Sequence, residues 1–300
     1  MDAVPEGEVV ACASRTPGKA ERFAAECGVP AFYEGYEELL ALPEVDAVYV
    51  ATTHNFHHEN VMMCLAHGKA VLCEKPLAVS ADQAWEMINR AREKNLFLME
   101  GMWTRFLPAI RQMKTWLDAG EIGALKMLRA NFCIQAGFNP QGRLFNPDLA
   151  GGALLDAGIY PVSMASYVMG EQPETVKALA DIGDTGVDEQ SVYAFRYSGN
   201  RMALLSSAVT SGSENRVEIS GTEGRIVIPA LFLASEEVQL HRNNRESICM
   251  RLPHNGPQSF SYEIEAANRA IQAGETECAE MPLDESLAIA ETMDRILADF

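Results

Sequence analysis

Through its first hundred residues the chain alternates short apolar runs with stretches of helical spacing, and no other feature constrains the fold as much. Residues 8–13 (Glu-Val-Val-Ala-Cys-Ala) read as a strand, stopped by Ser14-Arg15-Thr16-Pro17. Residues 17–27 then set Ala20, Phe23, Ala24 and Cys27 on one helical face, and Gly28 ends that helix. A brief strand at 31–33, a short helix at 36–42, a buried strand at 46–51 and a helix over 57–67 follow. The run 69–73 is a further apolar strand, cut off by Glu74-Lys75-Pro76; a helix over 80–94 and a strand at 96–100 close the series. Strands separated by crossover helices build an α/β fold with a parallel, doubly wound sheet, which receives ligands at the carboxyl ends of its strands. Pro76 fixes the turn there and keeps Lys75 extended, so that the lysine points into the cleft.

After Gly101 the texture changes. A helix over 108–119 precedes a strand-like run at 125–136, a Gly-, Pro- and Asn-rich loop at 138–150, and a helical stretch at 152–169. Strand-like segments divided by turn signals fill 176–250, and helices at 261–274 and 283–300 close the chain. The pattern predicts a Rossmann-like unit over 1–100 and an α+β unit over 101–300 with a largely antiparallel sheet. Three hundred residues suffice for two such cores. A net charge of −18 argues against nucleic acid or an anionic membrane as partner. The seven cysteines are scattered, sit mostly in apolar runs and form no Cys-x-x-Cys, as expected of buried free thiols in a reducing compartment. No segment reaches the length of a membrane span and Met1-Asp2-Ala3-Val4-Pro5 is no signal peptide, so the expected location is cytoplasmic. His54, His57 and His58 have the spacing of no usual metal site, and no Cys or carboxylate cluster joins them.

Three blocks carry a resemblance. Gly68-Lys69-Ala70-Val71-Leu72-Cys73-Glu74-Lys75-Pro76 resembles the signature of the glucose–fructose oxidoreductase/inositol dehydrogenase/MocA family of NAD(P)-dependent enzymes. Glu100-Gly101-Met102-Trp103-Thr104-Arg105-Phe106-Leu107-Pro108 and Gly151-Gly152-Ala153-Leu154-Leu155-Asp156-Ala157-Gly158-Ile159-Tyr160-Pro161 are similar to the dimeric dihydrodiol dehydrogenase branch. The resemblance implies that Lys75 and Tyr160 face the substrate at the nicotinamide, with tyrosine where many relatives use histidine. Hydride transfer from an alcohol carbon requires loss of the hydroxyl proton. A free tyrosine, with a pKa near ~10, is a poor base, and a nearby ammonium is expected to lower that value. A helix sets Asp156 on the face of Tyr160; a helix-terminus acid beside Gly151-Gly152 fits the spacing equally well.

By the same resemblance Thr52, Thr53 and His54 run along the dinucleotide, His57 is the family's recurrent histidine, and Glu74 reaches the nicotinamide ribose. Trp103, Arg105 and Phe106 are expected to line or support the substrate pocket, and Arg143 to contact substrate hydroxyls. Ser14-Arg15-Thr16 follows the 8–13 strand without an acid, which favours NADP, with NAD possible. The implied activity is oxidation or reduction of a cyclic diol, polyol or sugar by a homodimer. The dimer face is expected on the open sheet, the apolar run 226–233 making it adhesive. Two alternatives stand beside this: a glycosidase that retains its NAD, and a non-catalytic interaction or regulatory module.

One part of the family pattern is not in the sequence, which contains no Gly-x-Gly-x-x-Gly. The expectation is a chain shortened at the front by one β-loop-α unit, with two strand edges exposed inside its sheet and weak NADP binding.

Overall fold

The computed structural model describes Val4, residues 6–254 and residues 259–300; Met1, Asp2, Ala3 and Pro5, read above for a leader, lie outside the described residues. Strands β1 (Ala11–Ser14), β2 (Ala31–Glu34), β3 (Ala47–Val50), β4 (Ala70–Glu74) and β5 (Leu98–Gly101) alternate with helices α1 (Lys19–Cys27), α2 (Glu37–Leu40), α3 (His57–Ala66) and α4 (Ala81–Lys94). Every pairing among these strands is parallel. Strand β4 is apolar and buried until Glu74, as a strand covered on both faces must be. Helix α4 begins on Ser80, whose side chain accepts from the Gln83 amide, and stops at a left-handed Asn95.

The parallel strands form two sheets, β1-β2 and β3-β4-β5, instead of one. The break falls between β1 and β3, where the sequence reading expects unpaired edges. Pairing also explains why β1 starts at Ala11 and not at residue 8, since only Ala11 onward finds a partner in β2.

The second half opens with α5 (Pro108–Asp118), β6 (Leu125–Cys133) and α6 (Ile159–Met169). Strands β7 (Thr175–Ile182), β8 (Asp188–Tyr197), β9 (Arg201–Ala208), β10 (Val217–Gly221), β11 (Gly224–Ile228), β12 (Glu237–Arg242) and β13 (Ile248–Arg251) follow, then α7 (Ser261–Gln272) and α8 (Leu283–Leu297). With β6 they make an eight-stranded sheet in the order β13-β12-β11-β10-β6-β9-β8-β7. Only β6–β9 is a parallel pair within it. Strict alternation along β8 sends Tyr193, Phe195 and Tyr197 inward and leaves Val192 and Arg196 outside. Helices α5, α6 and α8 cover the inner face.

Two expectations are corrected. Ile226, Val227, Ile228, Phe232 and Leu233 of the apolar run are buried, so that run builds the core. The outer face instead exposes Leu179, Val192, Met202 and Leu204. The stretch 152–169 is also not one regular helix: Leu154–Gly158 is a π-helical turn that leads into α6. Gly152, at φ 123°, stands outside helical space, so the helix cannot start there.

Candidate active site

Loops leave the parallel strands at one edge: Ser14-Arg15-Thr16 after β1, residues 51–54 after β3, Glu74-Lys75-Pro76 after β4 and Met102 after β5. Arg15 crosses to α3, its guanidinium 4.0 Å from the Phe56 ring centroid and 2.7 Å from Glu59 Oε1. That contact brings the carboxyl ends of both parallel sheets to one side.

Lys75 extends from this edge toward the π turn. Its Nζ donates to the Asp156 carbonyl at 2.8 Å, lies 3.5 Å from Asp156 Oδ1, and sits 4.7 Å from the centroid of the Tyr160 ring. Lys75, Asp156 and Tyr160 therefore meet, although they come from β4, the π turn and α6. A π turn is a known device for re-aiming side chains at functional sites. Burial lowers the Lys75 pKa below that of a free lysine, opposed by the Asp156 and Glu74 carboxylates. Burial pushes the Asp156 carboxyl upward, but Lys75 and Arg143 outweigh it and hold it below the usual range.

The tyrosine differs from expectation. Its hydroxyl accepts from Trp103 Nε1 at 3.1 Å, and burial, with Glu74, Asp156 and Glu263 adding to it, raises the phenol pKa further than Trp103 lowers it. The lysine lies over the ring face and does not hold a phenolate. Tyr160 thus keeps its proton at neutral pH and is not the phenolate that a nearby ammonium was expected to favour.

The other sequence-predicted residues separate into two groups. His57 stands between two carbonyls, with Nδ1 2.8 Å from Pro76 O and Nε2 3.0 Å from Thr52 O, so it ties the loop after β3 to the lysine turn. Asn60 donates to Thr52 Oγ1, and Thr53 Oγ1 donates to Asn55 Oδ1. His54 Nε2 lies 2.6 Å from Ala150 O, across the cleft, and burial lowers its pKa. Glu74 takes a hydrogen bond from the Tyr49 hydroxyl. Ser14 and Thr16 share a local turn in which Thr16 N donates to Ser14 Oγ.

Arg105, by contrast, turns inward. It is 3% exposed and forks onto Glu285 at 2.8 and 2.9 Å, which locks α8 against the segment after β5. Phe106 is wholly buried core. Phe106 supports the site from behind, while Arg105 also borders a small cavity that it shares with Tyr160 and Ser163. Arg143 pairs with the Asp156 carboxylate, so its charge serves the lysine–aspartate pair.

Sequence reasoning missed Glu263 and Glu100. Glu263 of α7 is fully buried, with no hydrogen-bond partner for either oxygen among the described residues, and one of them lies 3.4 Å from where a Cβ on Gly101 would stand. Burial and the Glu74 charge push its pKa well above the ordinary carboxylate range. The signal was there: 263, 266, 267 and 270 share one helical face, and the other three are buried alanines. Glu100, also buried, accepts from Leu77 N at 2.9 Å and braces the turn after Pro76.

The donor set fits a nicotinamide dinucleotide at both ends. A stacked guanidinium stands at the end of β1, where adenosine phosphates are read, and a carboxylate and an ammonium stand at the end of β4. Among the described residues no group of three or more His, Cys, Asp or Glu is placed to hold a metal.

Comparison with known proteins agrees with this geometry. Residues 1–102 match the oxidoreductase-family NAD-binding Rossmann fold, and residues 110–227 the GFO/IDH/MocA C-terminal domain. The trans-1,2-dihydrobenzene-1,2-diol dehydrogenase of Xenopus tropicalis is 38% identical over 298 residues, covering 97% of this chain and 89% of the relative. The Homo sapiens protein of that name is 35% identical over 297 residues, covering 97% and 88%. A solved 3-ketoreductase from Actinomadura kijaniata, in complex with NADP and TDP-benzene, superposes with a TM-score of 0.89 at 32% identity, covering 99% of this chain and 91% of that one. With both halves matched and relatives this similar along nearly its whole length, the chain belongs to the Gfo/Idh/MocA family of NAD(P)-dependent oxidoreductases.

Proposed function

We propose that the protein transfers a hydride between NADP and a hydroxyl-bearing carbon of a cyclic diol, polyol or sugar, with Lys75 and Tyr160 handling the proton. NADP, when bound, supplies or receives the hydride. In the reducing direction Tyr160 Oη gives its proton to the substrate oxygen as that oxygen gains charge and regains one from solvent, with the Lys75 ammonium 4.7 Å from the centre of its ring. In the oxidising direction the proton returns along the same path. Trp103 Nε1, donating to Tyr160 Oη, fixes the hydroxyl so that its own proton faces away from the indole. Asp156 keeps Lys75 in place and charged, and Arg143 braces the Asp156 carboxylate. Arg15 is assigned to the 2′-phosphate, and Thr52, Thr53, His54, His57 and Glu74 to the remaining contacts with the dinucleotide.

The observation that carries the reading is the meeting of Lys75, Asp156 and a protonated Tyr160 at the carboxyl edge of the parallel strands. Steady-state turnover of Tyr160→Phe and Lys75→Met with NADPH and a panel of cyclic ketones and ketosugars tests it. Each variant is expected to lose about 100-fold or more in kcat while NADPH binding, followed by fluorescence, stays within a few fold. Near-normal kcat in either variant removes that residue from the mechanism. For the cofactor, Arg15→Ala is expected to narrow the NADP over NAD preference in kcat/KM, and an unchanged ratio would show that Arg15 does not read the phosphate.

The chain is further proposed to divide into a cofactor-binding unit over 1–100 and a substrate-binding and dimerisation unit over 101–300. We assign it to the cytoplasm, a reading supported by seven free cysteines and by the lack of any helix, among the described residues, long and apolar enough to cross a membrane. A homodimer through the outer face of the eight-stranded sheet completes the proposal. The exposed leucines and valine of β7, β8 and β9 support it.

A further inference from the structure

The π turn that presents Asp156 and leads to Tyr160 rests on a polar cradle in the sheet beneath it. At its start Asp188 Oδ2 accepts from Leu154 N at 2.8 Å, and a Cβ on Gly152 would stand 2.2 Å from Asp188 Oδ1. At its end a Cβ on Gly158 would lie 2.8 Å from the Tyr193 hydroxyl and 3.0 Å from Ser207 Oγ. Those groups are joined beneath the turn: Ser191 Oγ donates to Asp188 Oδ2 at 3.4 Å, lies 3.1 Å from Ser207 Oγ, and Ser207 Oγ lies 2.6 Å from Tyr193 Oη. Asp188 is 6% exposed, and Ser191, Tyr193 and Ser207 are buried at least as deeply. An ionisable side chain at that depth is costly unless it is bonded. Hydroxyls on β8 and β9, at positions that face a core, are costly for the same reason.

We propose that Asp188 is a positioning residue for the Lys75–Asp156–Tyr160 group, holding the π turn by its first free amides so that Asp156 and Tyr160 reach the lysine. The argument rests on the oxidoreductase reading for what Asp156 and Tyr160 do, but not for how they are held. A helix start exposes amides that lack intrahelical acceptors. Here the sheet supplies the acceptor, and the two glycines let the turn come down onto the cradle. The Asp156 carbonyl then remains available to Lys75 Nζ. Loss of the cap would let the turn move by a fraction of an ångström, and misplacements of about 1 Å cost on the order of 100-fold in rate.

The test compares Asp188→Ala with Asp188→Asn, because the amide oxygen of asparagine can accept from Leu154 N without carrying charge. Amide hydrogen exchange over 153–160 is expected to rise about tenfold or more in Asp188→Ala and to stay within a few fold of the native rate in Asp188→Asn. In parallel, kcat is expected to fall about tenfold to a hundredfold in the alanine variant and to recover in the asparagine variant, with the NADP Kd unchanged within about twofold. Exchange that does not respond to Asp188→Ala overturns the proposal. So does faster exchange with a native kcat, which would make the carboxylate merely structural. If Asp188→Ala does not fold, Tyr193→Phe strips the other end of the cradle, and a kcat within twofold of native there also overturns it. Absence of any NADP-linked turnover in the native protein would sink the oxidoreductase assignment of substrate; the exchange comparison then still decides whether Asp188 holds the segment.

Discussion

At the scale of single residues the site is governed by which charges burial allows to persist. Lys75 stays below the pKa of a free lysine and is held up chiefly by Asp156. Removing that negative charge makes the ammonium harder to keep, so the lysine loses its proton at lower pH. In Asp156→Asn the alkaline limb of the kcat/KM profile is therefore expected to move down by about 1–3 pH units. A profile measured between pH 6 and 11 checks this, and an unmoved limb would assign it to another group. Asp188 has the opposite linkage. Its folded-state pKa, about 6, lies above the ordinary 3.8, so the folded protein keeps a proton that the unfolded chain releases. Its contribution is fully present below pH 3.8 and is lost as pH rises toward 6, by roughly 3 kcal/mol in total. Denaturant midpoints of the native protein and Asp188→Asn are thus expected to diverge in favour of the variant between pH 4 and 7. A pH-independent difference would show that Asp188 titrates alike in both states.

At the scale of elements, one strained residue stands where the two halves of the chain meet. Ala150 adopts φ 54°, a left-handed conformation that costs an alanine about 1 kcal/mol, and its carbonyl meets His54 there. Ala150→Gly is expected to raise the unfolding free energy by up to about 1 kcal/mol while the His54 contact persists. A lowered melting temperature would mean that packing of the alanine methyl outweighs the strain. Much of this level was legible in the sequence. Periodicity located the parallel strands and crossover helices, although β1 and β2 hold no fully buried residue and Phe23, Phe32 and Tyr49 stay exposed. Glu74-Lys75-Pro76 marked the carboxyl edge of the sheet because an abrupt switch from apolar to charged residues coincides with a strand end. The meeting of Lys75 with Asp156 and Tyr160 was legible only through motif resemblance, since it depends on a π turn whose hydrogen-bond acceptor, Asp188, is distant in sequence. The inward turn of Arg105 was hidden for a similar reason: its partner Glu285 lies on α8, 180 residues away. The raised pKa of Tyr160 follows from burial, which local spacing does not report.

For the molecule as a whole, the eight-stranded sheet is the largest element with a face that its own helices leave open. Cross-strand register places Leu179 opposite Val192 and Leu204 opposite Ala194, so the exposed apolar side chains form adjoining rows. Lys177, Arg129 and Arg196 border them. An apolar centre with a charged border is the composition of an interface between copies, and a twofold axis counts every contact twice. Each leucine removed from such a centre costs about 1.5–3 kcal/mol. One substitution present in both copies therefore weakens association by at least about 3 kcal/mol, more than a hundredfold in Kd. Sedimentation at micromolar concentration is expected to give a dimer for the native protein and a monomer for Leu204→Glu, with the far-ultraviolet circular dichroism unchanged. The outward position of Leu204 makes that substitution compatible with folding, because its neighbours Ala203 and Leu205 carry the core. A native monomer, or a dimer that survives both Leu204→Glu and Leu179→Glu, would place the interface elsewhere and leave these rows as solvent-facing apolar surface.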